Sequence, residues 1–440
     1  MSISKHSACY LTSLLVGLAY TGTAAAVPAS GDPVLFWNEV LLTGTPYNPG
    51  QQRPAAMLNI AIHDAVNASL GAPDFGYLGV LATPGGDTRA AASVAAHDIL
   101  VKLYPGRAAQ FDAALVASLA LVADGGAKTA GIATGGIVAA ATIANRLNDH
   151  SFDVVTYTPS GLPGGWAPTP PGFGPPAMPQ QATVTPYLMT SPSQFRVAPP
   201  PLLTSAQYTA AFNEVKEIGA IGSLARTADQ TLSAKFWATT QGPGPWITAA
   251  IGIAGTKGLS TLENARLFAL LSTSVADAIT SVWDSKFYYD YWRPVTGIRA
   301  ADTDGNVDTV SDPNWTPLIV TPSHQSYSSA HATISGAAAT ILELTLGNTD
   351  PFCVTSLAAT RCWANFGDAA TDSVNSRLWA AVHWRFDNEA GFAAGQAIGR
   401  FAFASTAFAA VPEPAAWALL ITGFALTGTA IRRRRTYRAV

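Results

Sequence analysis

The chain has 440 residues, 48% hydrophobic and 12% charged, with 25 Lys and Arg against 28 Asp and Glu. That length suffices for one large domain or two closely packed halves. A formal charge of −3 excludes attraction to nucleic acid or anionic lipid through bulk electrostatics, so any cluster of cations inside the fold needs a local reason.

Lys5 and His6 precede an apolar run from Cys9 to Tyr20, and Ala24, Ala25 and Ala26 follow. A basic start, a short apolar core and small residues at the close predict a secretory signal peptide over residues 1–26. The run is short for a membrane span, and a buried first helix is the alternative reading. Cys9 leaves with the signal. Cys353 and Cys362 then remain as one pair, expected in an oxidising compartment to form a disulfide closing a short loop. Metal binding by this pair is not expected, since no His or further Cys stands nearby at zinc spacing.

Residues 27–150 read as an N-terminal helical bundle. Helices are predicted over Gln52–Ala68, Thr88–Leu103, Ala108–Ala123 and Gly131–Leu147, with Ala56, Ile60, Ala61 and Val66 suiting the buried part of the first. His63 and Asp64 fall on that helix and are read as hydrogen-bonding within the core. His97 and Asp98 take the same reading, whereas His150 reads as surface. Residues 151–205 form a connector, dense in Pro and Gly between Tyr157 and Pro201. Proline fixes φ and removes a donor, so no regular helix is expected there. The interspersed Trp166, Phe173, Tyr187, Leu188 and Phe195 predict an ordered wrap over the helices, with a disordered linker as the alternative.

Helices resume over residues 206–407, expected to form the C-terminal catalytic bundle. Leu267, Leu270, Leu271, Val275, Ala278 and Val282 recur at helical spacing and predict one inward stripe. Residues 411–440 form a tail. Pro412-Glu413-Pro414 leads to an uncharged stretch from Ala415 to Ile431 and then to Arg432, Arg433, Arg434 and Arg435. The stretch nearly spans a bilayer and the arginines favour the cytoplasmic side, which places the globular part outside. This tail resembles the PEP-CTERM sorting signal that bacteria process with an exosortase. The resemblance implies removal of the tail, and the expected location is periplasmic, cell-surface or extracellular. A permanent anchor is the alternative. Without both ends, 19 basic residues face 27 acidic ones, a net charge of about −8.

Three segments embed charge in otherwise apolar, helical sequence. The first holds Lys286 and Arg293, seven apart and thus on one face of an ideal helix, although Pro294 discourages helical geometry at Arg293. Two converging cations imply an anion; a solvated surface is the bland alternative, opposed by Phe287, Tyr288, Tyr291 and Trp292. The second runs from Pro322 to His331 and precedes a small-residue helix. It puts Ser329 and His331 at a helix N-terminus, where N–H groups and the dipole favour an oxyanion. A plain Ser cap with a structural histidine would look the same. The third runs from Ser376 to Asp387. His383 and Asp387 stand four apart, so the carboxylate can orient the imidazole. Arg377 lies about 120° round an ideal helix from His383, so either its side chain reaches round or the helix begins between them.

Lys286-x6-Arg293-Pro294, Ser329-x-His331 and Ser376-Arg377-x5-His383-x3-Asp387 together resemble the three-part signature shared by vanadium-dependent haloperoxidases and type 2 phosphatidic acid phosphatases. The likeness covers most of Val34 to Ala407. Ile62-His63-Asp64-Ala65 within Arg53 to Asn67, and the Pro- and Trp-rich middle, resemble the longer haloperoxidase branch. It implies that Lys286, Arg293, Ser329, Ala330 and Arg377 hold the oxygens of vanadate, or of a phosphate-like oxyanion in its place. His383 would bond the central atom, as vanadium ligand or as phosphatase nucleophile, and His331 would be the acid–base group. The family usually has glycine where this chain has Ala330; if φ is negative there, the backbone donor survives. His324 could tune peroxide or halide handling or cap its loop, and Trp283 and Trp292 read as pocket walls.

The expectation is therefore an all-α fold of two packed helical bundles with the site in the C-terminal one. The expected function is vanadate-dependent oxidation of halide by hydrogen peroxide, giving a hypohalous acid-type species for a small organic acceptor. An acid phosphatase using His383 is the alternative, and a non-catalytic exported matrix protein is the third reading.

Overall fold

The computed structural model describes residues 28–45, 50–79, 84–240 and 242–411, so the signal segment and the tail from Pro412 lie outside the described residues. Within them the fold is all-α, with thirteen α-helices and one short β-hairpin. α1 (Pro33–Gly44) begins behind Asp32, whose carboxylate accepts from the Val34 and Leu35 N–H groups. α2 (Gln52–Ser69) follows, and α3 (Thr88–Leu103) begins behind Asp87, which accepts from Ala90. Each cap satisfies donors that the first helical turn leaves unpaired. α4 (Ala108–Leu119) and α5 (Gly126–Asn145) complete the N-terminal group.

α1 is additional to the expected elements, and two expected helices have different ends. α4 stops at Leu119 rather than Ala123, and α5 starts five residues before Gly131 and stops before Leu147. The apolar run continues past the end of α4 to Ala123, so composition does not mark that end, and Asp124-Gly125-Gly126 follows as the turn. The chain turns there at Gly125, whose φ of +150° suits glycine.

The connector has no α-helix, and it is ordered against its neighbours. Trp166 and Tyr187 are buried, Leu188 and Phe195 half-buried, and Phe173 exposed. Arg146 donates to the Thr185 and Pro186 carbonyls and lies 3.6 Å above the Tyr187 ring.

α6 (Ala206–Ile218), α7 (Ala228–Ala238) and α8 (Gly244–Lys257) lead into α9 (Thr261–Tyr289), which starts with a Ser260–Glu263 capping box. Asp277 of α9 accepts the Tyr187, Leu188 and Met189 N–H groups and so ties down the connector. The expected stripe from Leu267 to Val282 is buried. So are Ser272, Thr273, Ser274, Thr280 and Ser281, because α9 is enclosed on nearly every side. A helix buried all round is a core helix, and the apolar core is continuous from Val34 and Trp37 through α9 to Ile341 and Leu342.

α10 (Pro294–Arg299) precedes a long loop, then α11 (Ala330–Leu346), the hairpin β1 (Phe352–Thr355) and β2 (Thr360–Trp363), α12 (Phe366–Trp379) and α13 (Arg385–Ala404). Cys353 pairs with Cys362 across the hairpin as a disulfide, as expected. α13 lies hard against α11. A Cβ at Gly391 would meet the Ser329 carbonyl at 2.7 Å, and one at Gly395 the Thr333 carbonyl at 2.1 Å. Gly395→Ala is expected to lower unfolding free energy by about 1–3 kcal/mol, the usual cost of overpacking, read as a lower urea midpoint. An unchanged midpoint would show slack between the two helices.

His63, read as a core hydrogen-bonder, lies between two carboxylates: Nδ1 is 2.9 Å from Asp64 and Nε2 is 3.3 Å from Asp74. Phe408 packs edge-on against it, and the backbone near Ala409 pairs with that near Phe75. Burial alone would lower the imidazole pKa, but the hydrogen bonds to Asp64 and Asp74 outweigh it and raise the value above 6.5. The linked stability is fully present below the unfolded pKa and is lost as pH rises through the folded one. The stability gap between the protein and His63→Gln should therefore shrink as pH rises above about 6.5 in urea titrations. A constant gap would mean that folding leaves the His63 pKa unshifted. His97 joins α3 to α4 through Asp98 and Asp112, each at 2.8 Å, and His150 is exposed beside Asp153.

Candidate active site

The three charged segments meet at one end of α9 and α11. Lys286 lies in the last turn of α9. The helix stops as Asp290 takes a φ of +50°, and Pro294 keeps Arg293 extended at the head of α10. The two cations therefore stand on different elements and meet without sharing a helical face. Lys286 Nζ donates to the carbonyls of Gln325 (2.8 Å), Ser326 (3.0 Å) and Ser328 (2.6 Å). Arg293 donates through Nε to the His324 carbonyl at 2.7 Å and through Nη1 to the Val382 carbonyl and, at 3.2 Å, to His383 Nε2. These buried cations thus lace the Ser329 loop to the His383 loop, and every one of these acceptors is neutral.

Ser329 is the residue before α11, with φ −76° and ψ 119°. Its side chain does not cap the helix, and Oγ is buried without a hydrogen-bond partner. Ala330 opens α11 in right-handed helical geometry and is not among the positive-φ residues, so alanine needs no glycine-like backbone here. The first N–H groups of the helix have no intrahelical acceptor, and with the dipole they favour an anion. His331 follows, its Nε2 3.1 Å from the Trp237 carbonyl.

In the third segment the helix is interrupted between Arg377 and His383, so no reach around a single helix is needed. α12 ends at Trp379 with Arg377 in its last turn, Ala381 takes a φ of +60°, and α13 begins only at Arg385. His383 thus sits in the bend, which removes the 120° difficulty with Arg377. The contact with Asp387 forms all the same: His383 Nδ1 donates to Oδ2 at 2.9 Å. That oxygen also accepts the Trp384 N–H at 3.1 Å and the Ser326 hydroxyl, while the Asp387 carbonyl accepts the Ser329 N–H at 3.0 Å. Asp387 therefore joins the head of α13, the Ser329 loop and the imidazole, and it keeps His383 Nε2 as an acceptor.

Charge dominates the pocket. Lys286, Arg293 and Asp387 are fully buried, and Arg377 and His383 nearly so. Burial holds Lys286 well below the usual ammonium value, with Arg293 adding to the effect and Asp387 opposing it. Burial likewise pushes Arg293 down to about 9, with Asp387 opposing and Arg377 reinforcing. Burial and the surrounding cations hold His383 well below 6.5, and burial with Arg377 brings His331 down to about 3. Burial pushes Asp387 up to about 7 against the Ser326 hydrogen bond and Lys286. The lowered values of Lys286, Arg293, His331 and His383 share one physical meaning: positive charge is crowded in a dry place, and an anion would relieve it.

His324 belongs to the same cluster. Its Nδ1 is 3.0 Å from Arg293 Nη2, and its ring centroid is 5.0 Å from that of Trp283. Trp283 thus lines the pocket as expected. Trp292 instead packs in the core beneath, beside Tyr208 and Trp384. Sequence reading missed Ser326 and Trp237. Ser326 was visible only as one serine in a polar loop, and Trp237 lies 94 residues before the histidine it holds.

Residues 266–410, which contain all six residues of the expected oxyanion pocket, match the VCPO second helical-bundle domain. The vanadium chloroperoxidase of Curvularia inaequalis is 26% identical over 395 residues, covering 69% of this chain and 64% of that protein. The chain thus spans a little under two thirds of that relative. A crystal structure described as the first bacterial vanadium-dependent iodoperoxidase shares the fold with a TM-score of 0.71 at 23% identity, covering 84% of this chain and 94% of that one. An apo-type bacterial vanadium-dependent chloroperoxidase gives 0.67 at 16% identity, covering 80% and 93%.

Proposed function

We propose that this chain is an enzyme of the vanadium haloperoxidase family, one that uses vanadate and hydrogen peroxide to oxidise halide to a hypohalous acid-type halogenating species. One observation carries the reading. Buried Lys286 is bonded to the loop just before Ser329, buried Arg293 to His383, and buried Arg377 acts on both His331 and His383, while the Ser329 hydroxyl at the head of α11 is buried without a partner and His383 Nε2 is kept as an acceptor. A tetrahedral oxyanion fits that donor set. Ser329 and Arg377 would hold its oxygens with the Ala330 N–H, Lys286 and Arg293 would turn donors to it from the partners they now bind, and His383 Nε2 would bond vanadium. Bound vanadate would supply Lewis-acid activation of peroxide without changing its own oxidation state.

The residues supply the rest. Asp387 fixes the His383 proton on Nδ1, so the nitrogen facing the pocket keeps its lone pair. The cations and the helix head stabilise negative charge in a site that excludes water, where such charge is otherwise costly. Oxidising a halide to hypohalous acid consumes one hydrogen peroxide and one proton and releases water. His331 would carry that proton to the departing oxygen, its pKa brought up by a neighbouring negative charge from the low value that burial and Arg377 impose.

Export is part of the proposal. Residues 1–26 read as a signal peptide and residues 411–440 as a sorting tail for exosortase processing. The Cys353–Cys362 disulfide suits an oxidising compartment, where a small organic acceptor would be halogenated.

The test is a vanadate titration of the purified protein in phosphate-free buffer, following bromide- and iodide-dependent halogenation by hydrogen peroxide. Saturable, vanadate-dependent activity that phosphate suppresses is the expected result. No halogenation, with vanadate-inhibited cleavage of a phosphate ester, would overturn it in favour of a phosphatase.

A further inference from the structure

His331 owes its orientation to a chain of contacts that begins outside the pocket. Its Nε2 faces the carbonyl of Trp237, 3.1 Å away, and the backbone of Thr240, three residues on, is a second partner of the ring. A carbonyl only accepts, so Nε2 carries the proton and Nδ1 is left as the nitrogen that gains and loses one. Trp237 lies in the last turn of α7, the end of the helix dipole that favours a donor or a cation.

The indole of Trp237 is itself tethered. Its Nε1 donates to Asp372 Oδ2 at 2.9 Å. Ser233, one helical turn earlier on α7, donates to Asp372 Oδ1 at 2.7 Å, so one carboxylate grips two points on one face of the helix. Asp372 stands on α12, five residues before Arg377, and links this grip to the helix that carries that arginine. From the other side it accepts Arg361 Nε at 3.0 Å, Arg361 Nη2 at 3.1 Å and Trp363 Nε1 at 3.2 Å, all from the disulfide-closed hairpin. Asp372 lies outside the three-part signature, and none of its partners touches the pocket except Trp237.

We propose that Asp372 is a positioning residue: by holding Ser233 and Trp237 it places the Trp237 carbonyl that keeps the His331 proton on Nε2 and turns Nδ1 into the exchanging nitrogen. The role of that nitrogen in turnover rests on the haloperoxidase reading. The hydrogen bond does not, so it can be tested without cofactor.

The experiment is proton–nitrogen NMR of the full chain labelled with 15N-histidine, in vanadate- and phosphate-free buffer, with His331 assigned from His331→Gln. A hydrogen-bonded Nε2–H shielded from solvent exchange is expected in the unaltered protein. Trp237→Phe keeps the ring and the carbonyl but removes the tether, and Asp372→Asn removes the charge. Both should speed exchange of that proton by about fivefold or more, the worth of one hydrogen bond. Trp363→Phe removes a different donor from the same carboxylate and should leave the His331 signal alone. In parallel, Trp237→Phe should lower the halogenation rate about tenfold with vanadate affinity unchanged, a split that general loosening of the fold would not produce. Protection that survives in both tether variants, or that is lost equally in Trp363→Phe, would overturn the proposal. If the tether variants lose protection while the unaltered protein fails to halogenate, the positioning stands and the peroxidase reading falls.

Discussion

His383→Ala is expected to abolish vanadate-dependent halogenation, by about a thousandfold or more, while the protein remains folded. In the proposed site His383 offers the central atom the lone pair of Nε2, kept in that state by the Asp387 hydrogen bond on Nδ1. Its loss leaves the other tethers in place. Asp387 still accepts from Ser326 and Trp384, and Lys286 still binds three carbonyls. Far-UV circular dichroism should therefore match the unaltered protein, while kcat falls to background. Activity within about tenfold of normal would show that His383 is not the ligand.

Asp387→Asn should cost about 10- to 100-fold in activity, vanadate affinity or both. The change keeps the shape but removes the buried negative charge that supports Lys286 and Arg293. It also places an amide NH2 where at least one buried oxygen, Oδ1, has no hydrogen-bond partner. Lys286, already held low by burial, loses its opposing charge and its pKa falls further. The alkaline limb of the activity profile should accordingly move to lower pH, which kcat/KM measured across pH would show. A variant with unchanged affinity and an unchanged profile would assign Asp387 to helix capping alone.

The signature residues were legible because each motif is short-range: a cation before Pro294, a serine and histidine opening a small-residue helix, and a carboxylate four after His383. Their meeting point followed from family likeness rather than from periodicity. The bend at Ala381 was not legible, since Leu378 to Val382 are good helix residues and only the φ of +60° at Ala381 breaks the run. Likewise, α4 stops at Leu119 although Ala120 to Ala123 continue the same apolar composition. The stripe on α9 was read correctly, but not that the opposite face is also covered, because that depends on α2 and α11 arriving from distant sequence. Trp237 and Asp372 were invisible for the same reason. Their contacts join residues about 90 to 140 apart, and no local pattern announces a backbone carbonyl as a histidine's partner.

The central claim is that Lys286, Arg293, Arg377, Ser329 and His383 form one oxyanion site selective enough to hold vanadate. The most direct test is equilibrium vanadate binding to the purified full chain, followed by 51V NMR in phosphate-free buffer and then competed with phosphate. One saturable site per chain, displaced by phosphate and absent in His383→Ala, is expected. Vanadate that stays free at every protein concentration, or binds equally well without His383, would contradict it.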